Sequence, residues 1–224
     1  MMEQRNATKR GGGCLMNSTY SMCGVILAGG RSSRMGQRKE LLGWGAETLI
    51  EHLVGCVRAL SLPCLVVTNE PQLLPDSVTN DSEIQVSCDA VEPCGPLGAI
   101  LTACRLRTED RLLLLSCDLP FVTPGELEKL LAYQANVEQW DAILAQSQNR
   151  LHPLLGIYCR ETQPFWESAY ANRELKLMAT LGKMRVHAVP EDVLDPWTTY
   201  NANTPTEYER ALAEWSVRRE GEAK

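Results

Sequence analysis

The sequence predicts an α/β fold of three layers, with helices covering both faces of a mostly parallel, mixed sheet. Three observations lead there. From Cys23 onward, short apolar runs alternate with segments of helical periodicity, the pattern of strands that pair side by side through helical crossovers. The first apolar run, Val25-Ile26-Leu27-Ala28, passes directly into a glycine-rich loop, as the first strand of a Rossmann-like sandwich does. Finally, two helix starts are legible as Thr123-Pro124-Gly125-Glu126 and Thr204-Pro205-Thr206-Glu207, each with a capping threonine, a proline at N1 and a glutamate at N3.

In chain order, residues 1–21 come first. They hold Gly11-Gly12-Gly13 and scattered polar residues without periodicity, which predicts a disordered tail ahead of one domain spanning 22–224. Met22 stands immediately before the first strand, so either translation starts there or the tail is a dispensable extension. Strands are expected at 24–28, 64–68, 84–87, 111–116, 141–145, 153–158 and 185–189. Between them, Leu49, Ile50, Leu53, Val54, Val57 and Leu60 recur at helical spacing, as do Ala99, Ile100, Ala103 and Leu106, and then Leu127, Leu130 and Leu131. No internal repeat is present.

Composition sets limits on function. A chain of 224 residues with 44% hydrophobic content builds one domain with a substantial core. Its net charge of −6 carries no global basic footprint, which argues against nucleic acid as a partner. No apolar run approaches the roughly 18 residues of a membrane span, and the N-terminus lacks the apolar core of a signal peptide. A cytoplasmic protein without membrane contact is therefore expected. The nine cysteines contain no Cys-x-x-Cys pair, and several lie inside apolar runs, so they read as reduced, buried thiols rather than a zinc site. His52 and His187 lack ligand-like spacing, and the five tryptophans are scattered.

The loop after the first strand carries the clearest chemistry. Gly29 and Gly30 have no Cβ, so the backbone is free to turn its N–H groups toward an anion. Arg31, Arg34, Arg38 and Lys39 add positive charge. This is neither a Walker A loop nor the Gly-x-Gly-x-x-Gly of a dinucleotide fold; it reads as a site for a nucleoside triphosphate. A second apolar run, Arg111-Leu112-Leu113-Leu114-Leu115-Ser116, ends at Cys117-Asp118. The pattern leaves two readings of Asp118: a ligand for a hard cation bridging phosphates, or a residue starting the turn before Pro120.

Four segments in order, Leu27-Ala28-Gly29-Gly30 with Arg34-Met35-Gly36 and Lys39, Gly95-Pro96-Leu97-Gly98, Ser116-Cys117-Asp118-Leu119-Pro120-Phe121, and Asn201-Ala202-Asn203-Thr204-Pro205, resemble the nucleotidyltransferases that activate phosphorylated small molecules. Among these the chain is most similar to the molybdenum cofactor guanylyltransferases. The resemblance implies the nucleotidyltransferase fold and transfer of GMP from GTP to molybdopterin, giving the guanine dinucleotide cofactor and pyrophosphate. It implies Mg²⁺ as cofactor, held by Asp118, with Arg34, Lys39 and Asp118 catalytic. Leu27, Ala28, Gly29, Gly30, Lys39, Asn69, Asp89, Gly95 and Asp118 are the implied GTP contacts. His152, Asn201 and Asn203 are those of the acceptor, and transient contact with molybdoenzymes or their chaperones is expected.

The chain departs from the family in one respect: an aspartate commonly precedes the lysine, and here the residue is Arg38. Two other functions stay open. A cytidylyltransferase acting on molybdopterin or another small phosphorylated acceptor tends to show Leu-Ala-Ala-Gly rather than Leu27-Ala28-Gly29-Gly30. A non-catalytic nucleotide-binding module usually lacks the cation or the carboxylate, and both Lys39 and Asp118 are present.

Overall fold

The computed structural model describes residues 20–29, 38–91 and 94–222. Gly30, Arg31, Arg34 and residues 1–19 of the expected tail lie outside the described residues. Strand β1 (Met22–Leu27) is followed by a small hairpin of β2 (Gly43–Trp44) and β3 (Glu47–Thr48), then α1 (Leu49–Ala59), β4 (Cys64–Val67), α2 (Asp76–Thr79), β5 (Ile84–Ser87) and α3 (Pro96–Leu106). The second half runs β6 (Arg111–Ser116), α4 (Pro124–Gln134), β7 (Ala142–Ser147), β8 (Arg150–Cys159), α5 (Gln163–Ala171), α6 (Leu177–Leu181), β9 (Val186–Ala188) and α7 (Pro205–Glu222).

Seven strands form one sheet in the order β5-β4-β1-β6-β8-β7-β9. Neighbours are parallel except at β8, which runs antiparallel to both β6 and β7. The reversal has a local cause. β7 and β8 are joined by Gln148 and Asn149 alone, with φ of 50° and 57°, the two-residue turn that only antiparallel strands accept. The hairpin also starts β8 at Arg150, ahead of the expected 153–158.

The leucine run of β6 is buried on both faces, as a central strand with helices on either side must be. Leu113 and Leu115 pack with Leu53 and Val57 of α1 and Leu127 and Leu131 of α4. Leu112 and Leu114 pack on the other side with Ile100 and Leu101 of α3 and Trp166 of α5. Gly24 lets α1 approach: a Cβ there would sit 2.4 Å from Val57 Cγ1, far inside contact distance. Capping supports the helix starts. Thr123 Oγ1 accepts from Glu126 N, and Thr48 with Glu51 forms a reciprocal capping box at α1.

A third cluster lies beside the sheet and gathers aromatic residues distant in sequence. Trp44 of the β2–β3 hairpin meets Phe121 edge to face at 5.3 Å and Trp215 of α7 at 5.4 Å, and Phe121 meets Trp197 at 4.9 Å. Such pairs add about 0.5–1.5 kcal/mol each beyond area burial and bind the last helix to the segment after β1. Five of the eight described cysteines are buried, but Cys88 is exposed and Cys94 and Cys159 are partly so; this corrects the expectation that the thiols are uniformly buried, because Cys88 lies just past the end of edge strand β5. Among the described residues no helix is long and apolar enough to cross a membrane.

The last two residues of the expected tail are held by the sheet. Ser21 N and Oγ both donate to Asp110 Oδ2 at 2.8 Å, Arg111 N donates to Ser21 O, and the Arg111 guanidinium lies 3.8 Å from the centre of the Tyr20 ring. Removal of residues 1–19 is expected to leave the melting temperature and activity unchanged. Removal through Ser21 should lower the melting temperature by about 2–4 °C, the effect of about 1 kcal/mol in a domain of this size; differential scanning calorimetry of the two truncations distinguishes them.

Candidate functional site

The parallel strands β5, β4, β1 and β6 all end at one edge, where an open α/β sheet gathers ligands. Leu27, Ala28 and Gly29 leave β1 there, with Ala28 N bonded to Val67 O of β4 at 2.9 Å. Asn69 follows β4, Asp89 follows β5, and Gly95 caps α3. These six residues share the wall of a cavity of about 530 Å³. Gly95 has φ of +68°, a conformation that costs a glycine little, and it turns the chain so that the amide end of α3 faces the cavity edge. This is the arrangement that favours an anion.

Asn69 and Asp89 fix one another. Asn69 Nδ2 donates to Asp89 Oδ2 at 3.0 Å, and Asp89 N donates to Asn69 Oδ1 at 3.3 Å. The second carboxylate oxygen, Asp89 Oδ1, is buried without a hydrogen-bond partner among the described residues. Burial pushes the Asp89 carboxyl above its ordinary pKa and the Asn69 bond works against that. An acceptor left in this condition at a cavity wall is suited to a ligand's N–H or O–H group.

On the β6 side of the same edge lies a charged cluster. Lys39 opens a 3-10 turn, Lys39–Leu41. Its Nζ sits 3.6 Å from Asp118 Oδ2 and donates to Asn203 Oδ1. Asp118 follows β6, and Ala202 N donates to its backbone oxygen at 3.0 Å, which joins the Asp118 turn to the Asn201-Ala202-Asn203 segment. That segment is held in turn by the cap of α7: Glu207 Oε2 accepts from Asn203 N at 2.9 Å, and Thr204 Oγ1 accepts from Glu207 N at 3.2 Å. Ser116 lines the cavity, so a single residue, Cys117, separates the cavity wall from the carboxylate.

The structure therefore brings Lys39, Asp118 and Asn203 together. His152 of β8 is half-buried and bonded through Nε2 to Ser147 Oγ at 2.7 Å. Burial lowers its pKa, while the negative charge of Asp118 raises it; the imidazole belongs to the same electrostatic environment. Asn201 does not join the cluster by its amide, which donates to Thr199 O at 3.3 Å within its own turn. Arg34 and Gly30, expected in the phosphate site, lie outside the described residues.

Whether a divalent cation fits can be judged from the donors. Asp118 Oδ1 is buried without a hydrogen-bond partner among the described residues, and a hard carboxylate oxygen is the ligand type Mg²⁺ takes. Among the described residues no group of three or more His, Cys, Asp or Glu is placed to hold a metal. The fit is thus to an ion that arrives with phosphate oxygens and keeps water, not to a closed protein cage.

Sequence reasoning missed Glu40, Glu70 and Ser147. Glu40 is a buried carboxylate, and Arg38 Nη1 lies 3.4 Å from it while Nη2 pairs with Glu70. Arg38, which departs from the family pattern, is thereby tied to two acids. The Arg38-Lys39-Glu40 run carried the signal for the nearer of them; Glu70 is too distant in sequence.

The MobA-like NTP transferase domain matches residues 24–187. A relative from Carboxydothermus hydrogenoformans, named probable molybdenum cofactor guanylyltransferase, is 33% identical over 87% of this chain and 96% of its own length. The molybdenum cofactor guanylyltransferase of Pseudomonas entomophila is 30% identical over 78% of this chain and 90% of its own. Among solved structures, molybdopterin-guanine dinucleotide biosynthesis protein A from Archaeoglobus fulgidus superposes with a TM-score of 0.73 at 23% identity, covering 87% of this chain and 98% of that one. A more distant structural neighbour, Rv0371c of Mycobacterium tuberculosis (TM-score 0.64, 17% identity, 86% of this chain and 98% of that one), was solved with manganese.

Proposed function

The chain belongs to the MobA-like NTP transferase domain family, and we propose that it transfers GMP from GTP to molybdopterin, forming the guanine dinucleotide cofactor and releasing pyrophosphate. The observation that carries this reading is the meeting of Lys39, Asp118 and Asn203 beside a cavity of nucleotide size at the carboxyl edge of the sheet. The names of relatives aligned over most of the chain support the choice of substrates.

The terminal phosphate of the acceptor attacks the α-phosphorus of GTP, a P–O bond forms, and the bond to the β-phosphate oxygen breaks with departure of pyrophosphate. Little covalent chemistry is left to the protein, which acts by positioning and charge neutralisation. Leu27, Ala28 and Gly29 line the base and phosphates. Asn69 and Asp89 take the nucleoside, with Asp89 Oδ1 accepting from its N–H or O–H groups, and Gly95 brings the amide end of α3 to the same ligand. Lys39 faces the triphosphate, with Arg34 from the glycine-rich loop in the same role. Asp118 would hold Mg²⁺, which would supply charge neutralisation at the phosphates. His152, Asn203 and Asn201 serve the acceptor.

Titration calorimetry with GTP, CTP and ATP, each with and without Mg²⁺, tests the donor. Mg²⁺-dependent binding of GTP at least about tenfold tighter than CTP, or about 1.4 kcal/mol, is expected. A preference for CTP would leave the reaction and replace the product.

A further inference from the structure

Arg38 is the one cation of the Arg38-Lys39 pair that does not face Asp118. Its guanidinium bridges two acids on different elements: Glu40, one residue beyond Lys39, and Glu70, in the loop leaving β4. The Glu40 side chain is 5% exposed, so it needs a cation, and leaving it unpaired would be costly. Glu70 lines the nucleotide cavity next to Asn69, and its backbone N donates to Thr68 Oγ1 at 3.3 Å, which holds that turn to the end of β4.

We propose that Arg38 is a positioning residue that fastens the Lys39 turn to the β4 wall of the nucleotide cavity through Glu70. The arrangement uses what a guanidinium has and an ammonium lacks, a planar fork that serves two carboxylates at once. Arg38 is adjacent to Lys39 in the chain, so fixing its head group against Glu40 and Glu70 fixes the place from which Lys39 reaches the phosphates. Glu70 in turn has its charge offset, and does not repel a triphosphate in the cavity. The proposal rests on the reading of the cavity as the nucleotide site.

The test is a double-mutant cycle of Glu70→Gln, Arg38→Gln and the pair, read by binding of Mg²⁺-GTP, Mg²⁺-CTP and Mg²⁺-ATP and by steady-state kinetics. The Glu70 side chain is 43% exposed and Glu70→Gln is close in size, so the fold should be kept; if Arg38→Gln does not fold, Arg38→Lys takes its place. For a half-exposed ion pair the expected change is about three- to fivefold weaker nucleotide binding in Glu70→Gln, with kcat lowered alongside the rise in KM, since Lys39 meets the triphosphate in both ground state and transition state. In the Arg38→Gln background the same change should cost nothing or tighten binding, since an unpaired Glu70 only repels phosphate. Raising salt from 0.1 M to 1 M, which shortens the Debye length from about 10 Å to about 3 Å, should shrink the difference. An equal loss in both backgrounds, or no loss in either, overturns the positioning role. A wild-type protein that binds a different nucleotide best would change the substrate reading alone, because the cycle is then read on that nucleotide; one that binds none overturns both.

Discussion

Asp118→Asn is expected to fold like the wild type and to lose about 10²–10³-fold in kcat for pyrophosphate release, the scale on which a single preorganised electrostatic group contributes to a charged transition state. The substitution keeps size and shape. It removes the negative charge that faces Lys39 Nζ at 3.6 Å and puts an amide in place of the carboxylate whose Oδ1 is buried without a hydrogen-bond partner among the described residues. The backbone of Asp118 is unaffected, so the bond from Ala202 N that ties the Asn201–Asn203 segment to β6 should remain. Unchanged melting temperature with collapsed turnover is the expected pair of results. Turnover within about threefold of wild type would remove Asp118 from the mechanism.

The second large effect is expected at Lys39. Lys39→Met retains the alkyl stem and removes the ammonium that donates to Asn203 Oδ1 and faces Asp118. The loss should be about 10²-fold in kcat/KM for GTP, shared between a higher KM and a lower kcat, because the cation meets the triphosphate in both ground state and transition state. Lys39→Arg should restore little, since a broad planar guanidinium does not fit the place of a compact ammonium between two short side chains. Initial-rate measurements over a range of GTP concentrations give both parameters. A variant with kcat/KM near wild type would assign Lys39 to the fold alone.

The parts of the molecule legible in sequence are those with local causes. The Leu112–Leu115 run announces a strand buried on both faces, and Thr204, Pro205 and Glu207 announce the start of α7. The glycine-rich exit of β1 locates the site edge. The reversal of β8 is not legible in its apolar pattern, which is the same for either direction; it follows from the Gln148-Asn149 turn. The β2–β3 hairpin has strands of two residues each, too short for any period to register. Trp44, Phe121, Trp197 and Trp215 look scattered because their association spans most of the chain. Within the site, Lys39, Asp118 and Asn203 are each marked by a motif, and the fold adds that Lys39 reaches both of the others. Arg38 could be identified from sequence as a departure but not understood, because Glu70 reaches it only through the packing of β4 beside β1.

The most direct test of GMP transfer is incubation of the protein with Mg²⁺, molybdopterin and GTP labelled at the α-phosphate. The label should enter a guanine dinucleotide of the pterin with release of one pyrophosphate per product, and CTP should compete poorly. Label that stays in GTP while CTP supports product formation would contradict the guanylyl assignment; absence of transfer from every nucleotide, with nucleotide binding intact, would contradict the enzyme.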